Sequence, residues 1–343
     1  MMIGKNKRSS INKKASGTAE RQKGLEQSGL GRKPQIPVWP LYLLLFLLAG
    51  LYIFVRFTGP ILLILFIIII FIEIINMLRS GSGKRAIAEL GAVVIIIGLV
   101  WLALIIALGN TSPVDVVPSC SMLPTLHVGD VIFVKSVPIT GITAPLVRVN
   151  SSRASTFIKN LTSNAYECVA FNPSNPSVVS QYMLPGYSVG LYTYNIKTGR
   201  SYLNPEQLGL VRFNCGTARI RYSNGTTASE AALTSITIAN QTIYPNLNNS
   251  IIVYRTIKND SFYKDGDTYV VHRAYAILDA NGTYYVLTKG DNNPGLDIQY
   301  LNAPPNSSQI EGKVIFSIPY IGYVKLALSG VSNNAGCGQK FVG

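Results

Sequence analysis

Only two imidazoles, His127 and His272, occur in the 343 residues. A serine hydroxyl is a weak nucleophile until a neighbouring base takes its proton. An imidazole oriented by a carboxylate is a common base, recognised by its role and not by its spacing in sequence. Three stretches hold the candidates. The first runs from Pro113 to Asp130 and contains Ser119, Cys120, Ser121, Met122, Leu123, Pro124, Thr125 and His127. The second is Gly266-Asp267-Thr268-Tyr269-Val270-Val271-His272-Arg273. The third is Lys289-Gly290-Asp291-Asn292-Asn293 followed by Asp297. These residue types suit acyl transfer by Ser121 with one of the two histidines and one of a few aspartates. Lys289 offers a different base, in a Ser–Lys dyad. Asp130 and Asp267 each follow a glycine, and turn chemistry accounts for both. No spaced Cys/His cluster is present, so neither a metal nor a cofactor is expected.

The elements that would position these residues divide the chain in two. Hydrophobic residues make up 48% and charged residues 13%, and the net charge is +14. That charge is concentrated. Residues 1–35 hold nine Lys/Arg against Glu20 and Glu26, whereas 109–343 hold 17 basic and 12 acidic side chains. Basic runs beside apolar stretches signal membrane topology before they signal nucleic acid, so no nucleic-acid partner is expected. Apolar stretches at about 38–55, 59–78 and 87–108 approach the ~20 residues a helix needs to span a bilayer. Residues 1–35 then form a basic cytoplasmic tail and 36–108 three transmembrane helices, with Glu73 and Glu89 near the boundary. The expected location is the cell membrane, multi-pass, with the N-terminus cytoplasmic and everything after Leu108 extracytoplasmic.

Asn-x-Ser/Thr acceptors at Asn110, Asn150, Asn160, Asn224, Asn240, Asn248, Asn259, Asn281 and Asn306 all follow the third stretch, which points to glycosylation there. Short β-branched runs at Val131–Val134, Ile251–Tyr254, Thr268–Val271, Tyr284–Leu287 and Val314–Ile318 predict strands. Asn281-Gly282 predicts a hairpin between Ala274–Leu278 and Thr283–Leu287. The expected fold class is a multi-span α-helical anchor followed by a mostly-β extracytoplasmic catalytic domain. Residues 109–138 and 249–343 form that domain. Residues 139–248, rich in Asn, Ser, Thr and Tyr, form a large β-rich insertion. A Cys168–Cys215 bridge inside the insertion would close a loop of about 47 residues, worth ~4 kcal/mol. A Cys120–Cys337 bridge would tie the C-terminal tail to the candidate chemistry and is not favoured. The insertion is expected to be separable from the candidate chemistry, so that deleting roughly 141–247 leaves some activity if the rest folds without it.

The three stretches resemble the boxes of type I signal peptidases, in the archaeal and endoplasmic-reticulum branch. Ser119 to Leu126 with Gly129-Asp130 is similar to the nucleophile box. Val270-Val271-His272-Arg273 is similar to the box in which His replaces the bacterial Lys. Lys289 to Asp297 matches a K-G-D-N-N-x-x-x-D pattern. Pro319-Tyr320-Ile321-Gly322-Tyr323-Val324 is similar to the closing segment. The resemblance covers about 113–137 and 249–328 and implies a signal-peptidase-like β fold. It implies Ser121 as nucleophile, His272 as general base and Asp297 as its orienting partner, with Asp291 supporting the site. The division of labour between Asp291 and Asp297 is left open. Ser119 and the Ser121 N–H would form the oxyanion hole, and Met122 and Pro124 would shape the turn and line the substrate groove. His127 would have a structural role.

The chain departs from the family pattern in the long insertion, in Asn249-Ser250 where Gly-Asp is usual, in Leu123 where an acid is usual, and in its three apolar stretches. The expected function is a membrane-bound serine endopeptidase that removes signal peptides from exported preproteins. Its partners would be those signal peptides, the lipid bilayer and the secretion translocon. The alternatives are a non-catalytic glycosylated surface protein on the same scaffold, or a related protease specialised for surface-layer or pilus proteins.

Overall fold

The computed structural model describes residues 37, 39–52, 65, 68–76, 83–161, 163–203, 210–329 and 337–342. The expected basic tail 1–35 lies outside the described residues. The chain divides into two units, Met1–Ile97 and Gly98–Gly343.

The first unit contains helix α1 (Trp39–Tyr52) and a helical stretch over 68–76. Within it the Tyr42 hydroxyl donates to Glu73 at 3.4 Å. Helix α2 (Gly83–Leu108) begins in this unit and ends in the second. The three-span anchor and the multi-pass location are corrected here. Among the described residues no helix is long and apolar enough to cross a membrane. Apolar composition does not guarantee a long apolar helix. The 14 residues of α1 rise about 21 Å at ~1.5 Å each, against a core of ~30 Å. The described part of the second stretch is short and carries Glu73 and Asn76. The third opens on Lys84, Arg85 and Glu89. The chain is therefore mixed α/β with several β-sheets, and the transmembrane-helix description is withdrawn.

The second unit holds β1 (Val114–Val116), β2 (Val131–Lys135), β3 (Leu146–Arg148), helix α3 (Ser151–Leu161), β4 (Asn164–Asn172), β5 (Asn175–Ser180), β6 (Ser188–Asn195) and β7 (Ser201–Leu203). It continues with β8 (Val211–Tyr222), β9 (Thr227–Ile238), β10 (Gln241–Ile243), β11 (Ile251–Arg255), β12 (Tyr269–Ala280), β13 (Thr283–Lys289), β14 (Ile310–Ile318) and β15 (Gln339–Val342). A seven-stranded sheet runs β1-β2-β14-β11-β12-β13, with β3 joined to β12. The other two sheets have four strands each, in the orders β10-β9-β8-β15 and β5-β4-β6-β7.

Local chemistry explains the pieces that carry the candidate residues. The β12–β13 hairpin turns at Asn281-Gly282, where φ is 57° and 85°. Positive φ at both central residues is the turn geometry that matches strand twist, and Asn-Gly tolerates it best. In β2 the pleat sends Ile132 and Val134 inward, where they pack with Val117, Met122, Leu126 and Val253. The Gly129-Asp130 turn lies under the closing segment. Gly129 has φ +82°, and a Cβ there would stand 2.6 Å from the Tyr323 ring. The Gly322 N–H donates to Gly129 O at 2.8 Å, and a Cβ on Gly322 would meet Val116 at 2.4 Å. Only glycine lets these two backbones approach so closely.

Residues 139–248 contain β3 to β10, and they do not form a core of their own. Phe157, Cys168, Leu191, Phe213, Leu233 and Ile236 share one buried cluster with Tyr275, Leu278, Leu287, Leu296 and Ile298. Removing 141–247 would strip that shared core and expose the large side chains of β12 and β13. The expectation of a separable insertion is replaced accordingly. The Cys168–Cys215 disulfide joins β4 to β8 within this cluster, with a Cα–Cα distance of 5.5 Å. Cys120 and Cys337 are also bridged, at 5.4 Å between Cα atoms, which corrects the expectation that this second pair would not form. Cysteine positions in sequence gave no signal for this contact, because the approach of β15 to the nucleophile turn depends on its pairing with β8.

Candidate active site

His272 sits on β12 opposite Ile252 of β11, and side chains alternate along a strand. It therefore faces the opposite side of the sheet from Arg273. The ring is 3% exposed. Its Nδ1 lies 2.7 Å from Asp297 Oδ2, and Asp297 is 1% exposed. Asp297 opens a short 3-10 turn after the third stretch. Its Oδ2 also accepts the Tyr254 hydroxyl at 2.9 Å, while Oδ1 has no partner among the described residues. Burial, reinforced by the Asp297 charge, pushes the Tyr254 phenol well above its ordinary pKa, so it remains a neutral donor. Phe262 meets the imidazole edge-on at 5.7 Å. A carboxylate at Nδ1 selects the tautomer that leaves Nε2 able to accept a proton.

Ser121 is half-buried in the turn after β1. Its hydroxyl lies 3.2 Å from the Ser119 hydroxyl. Its carbonyl accepts the Asn292 N–H at 2.7 Å, which locks the serine turn to the third stretch. No hydrogen bond joins Ser121 to His272 among the described residues. The structure thus brings His272 to Asp297 and brings Ser121 to the Asp291–Asn292 loop. No closed triad is formed among the described residues.

Asp291 takes a different partner from Asp297. It receives Arg273 Nε at 2.8 Å and Nη2 at 2.7 Å. The Thr125 hydroxyl adds a third bond to Asp291, at 2.6 Å. Arg273 Nη1 donates to the carbonyls of Leu247 and Asn249, both at 2.6 Å, and Nη2 also donates to Thr125 at 3.2 Å. One guanidinium therefore ties together the nucleophile turn, the third stretch and the end of the insertion. Sequence reasoning passed over Arg273. The available signal was a cation in the apolar run Tyr269–Ala280, because a buried charge must be paired.

Met122, read from sequence as groove-lining, is 0% exposed and belongs to the core behind the turn. Its apolar length fills the space between β2 and β11, so the groove role is withdrawn. Pro124 is exposed. His127 is half-buried and its backbone N–H donates to Asp130 Oδ2 at 2.9 Å. Asp130 Oδ1 accepts the Tyr320 N–H at 3.2 Å, so both residues hold the turn. Among the candidate acceptors, Asn150, Asn224, Asn240, Asn248, Asn259 and Asn281 are exposed, and Asn306 is half-buried. Asn110 is buried, and its amide is 3.5 Å from Val134 O. The Asn160 side chain lies outside the described residues. Among the described residues no group of His, Cys, Asp and Glu could hold a metal ion.

Lys289 borders a cavity of about 50 Å³ with Asn249, Arg273, Tyr275 and Asp291. Its amine donates to Gly290 O at 3.0 Å. Burial lowers its pKa from 10.5 to about 8, although Asp291 and Asp297 oppose the shift. The folded chain therefore sheds this proton before the unfolded chain does. The penalty of burying the cation is complete below pH 8 and disappears as the pH rises to 10.5. Lys289→Met is expected to be more stable than wild type at pH 7, with the difference shrinking by about 2–3 kcal/mol by pH 10.5. Urea unfolding at the two pH values measures it, and a constant difference would contradict the burial argument.

No family model matches this sequence, and no curated protein matches it.

Proposed function

We propose that the chain is a serine endopeptidase that removes signal peptides from exported preproteins, with Ser121 as nucleophile and His272 as general base. The observation that carries this reading is the buried pair of His272 and Asp297, 2.7 Å apart, with the serine turn held by Asn292, five residues before Asp297 in the chain. The Ser121 hydroxyl attacks the scissile carbonyl. His272 Nε2 takes its proton and returns it to the leaving amine, and Asp297 stabilises the imidazolium formed between those steps. Ser119 and the Ser121 N–H receive the developing oxyanion. The substrate class comes from the resemblance of the boxes to signal peptidases. It is an extended segment with small side chains at the positions one and three before the cleaved bond.

One observation favours a second base. Lys289 has a pKa of about 8, which is suited to proton transfer near neutrality. Lys289→Met separates the two readings, because cleavage survives it if His272 is the base and is lost if Lys289 is. The direct test is incubation of the full chain with a labelled preprotein. Wild type is expected to release the signal peptide and Ser121→Ala to release none. Equal cleavage by both would end the serine mechanism. No cleavage by wild type would favour the non-catalytic surface-protein reading.

A further inference from the structure

The C-terminal segment 337–342 touches three parts of the second unit at once. Cys337 is bonded to Cys120, which stands between Ser119 and Ser121. The Phe341 N–H donates to Asn292 Oδ1 at 2.9 Å. Strand β15 pairs with β8 in four positions, from Gln339↔Tyr222 to Val342↔Arg219, and Gly338 O accepts the Ser223 N–H at 2.8 Å. Asn292 gives its own N–H to Ser121 O at 2.7 Å. A closed ring of contacts therefore runs from Ser121 through Asn292, Phe341 and Cys337 back to Cys120. Through β8 that ring is anchored to the inserted sheets, whose inward side chains share the core beneath β12 and β13.

The geometry points to a positioning role for this strap: Cys120, Cys337, Phe341 and Asn292 act through the backbone of Ser121, and opening the Cys120–Cys337 bond slows catalysis. The kinetic half of this inference rests on the serine-endopeptidase reading, while the structural half does not. Two flanking constraints hold the Ser121 peptide, one covalent at Cys120 and one through Asn292. Losing the first leaves the turn held by its hydrogen bonds and by the packing of Met122. A displacement of about 1 Å at a reacting group costs roughly 100-fold in rate.

The two disulfides differ in access. Cys337 is exposed and Cys120 is 6% exposed, whereas Cys168 is 5% exposed and Cys215 half-buried against the shared core. A dithiol would attack the Cys337 sulfur as thiolate and expel the Cys120 thiolate, which takes up a proton. Its second thiol then displaces Cys337. The products are two cysteine thiols and the oxidised, disulfide form of the reductant, so two electrons and two protons pass to the protein.

The test compares the full wild-type chain with Cys337→Ser and with wild type treated with a dithiol. Hydrogen exchange is followed at 119–123 and 290–293, and preprotein cleavage is measured in parallel. Both perturbed forms are expected to exchange faster in these two windows, with β12 and β13 unchanged. The expected kcat falls about 10- to 100-fold while KM stays within about two-fold. Alkylation after mild reduction is expected to label Cys120 and Cys337 before Cys168 and Cys215. Unchanged exchange at 119–123 overturns the strap, as does opening of Cys168–Cys215 first. Altered exchange with no cleavage by wild type would retain the strap and remove the peptidase reading. If Cys337→Ser fails to fold, the reduced wild-type chain alone decides the outcome.

Discussion

His272→Ala is expected to lower preprotein cleavage at least ~10³-fold, Ser121→Ala by as much, and the double variant by little more. Groups that act as one unit are not additive, since the first loss already removes what the others support. Asp297→Asn should be nearly as costly. Its carboxylate oxygen serves both His272 and Tyr254, and an amide turned toward Nδ1 would select the wrong tautomer. His127→Ala should be mild, because the Asp130 contact that organises its turn comes from the His127 backbone. Single-turnover cleavage of one labelled preprotein ranks all five variants. Full activity in His272→Ala would move the base role to Lys289.

Arg273→Met is expected to destabilise the chain by about 3–5 kcal/mol, the range for breaking a buried ion pair from one side. The loss would come mainly from Asp291, left buried beside Thr125 without its cation, and from the Leu247 and Asn249 carbonyls, left without their donor. Arg273→Lys should recover little, since an ammonium cannot reproduce the two-pronged grip on Asp291. Adding Asp291→Leu to Arg273→Met removes the stranded charge and should return part of the stability. Urea midpoints of the single and double variants measure this coupling. An unaltered midpoint for Arg273→Met would show that the guanidinium is dispensable.

The parts of the site written in short segments were legible in the sequence. Asn281-Gly282 announced its own turn, and the β-branched run Thr268–Val271 predicted the strand that continues through His272. Contacts that depend on distant pairing were not legible. The Arg273 grip joins residues 125, 247, 249 and 291, and no local pattern encodes such a meeting. Met122 was misread because a motif position says nothing about which way a side chain points once the turn packs on β2. The Asn- and Ser-rich texture of 139–248 marked an insertion, yet it hid the inward residues of β4, β6, β8 and β9. Those residues alternate with polar ones and are diluted in any average. Averaging had the opposite effect before residue 108, where apolar content suggested spans that the described helices do not supply.

The interlocked glycines have a consequence for how the protein is made. Gly129 closes the turn after Ser121 with its N–H on Val117, but its carbonyl waits for the Gly322 N–H, and the other edge of β2 likewise waits for β14. Translation runs from the N-terminus at about 5–20 residues per second, so the serine turn emerges long before the segment that clamps it. A nascent chain would thus carry its nucleophile unclamped while the insertion is still being synthesised. Under the proposed function, such a timetable would keep the peptidase from acting on its own unfinished chain, because the clamped arrangement of the turn arrives only with the far side of the sheet.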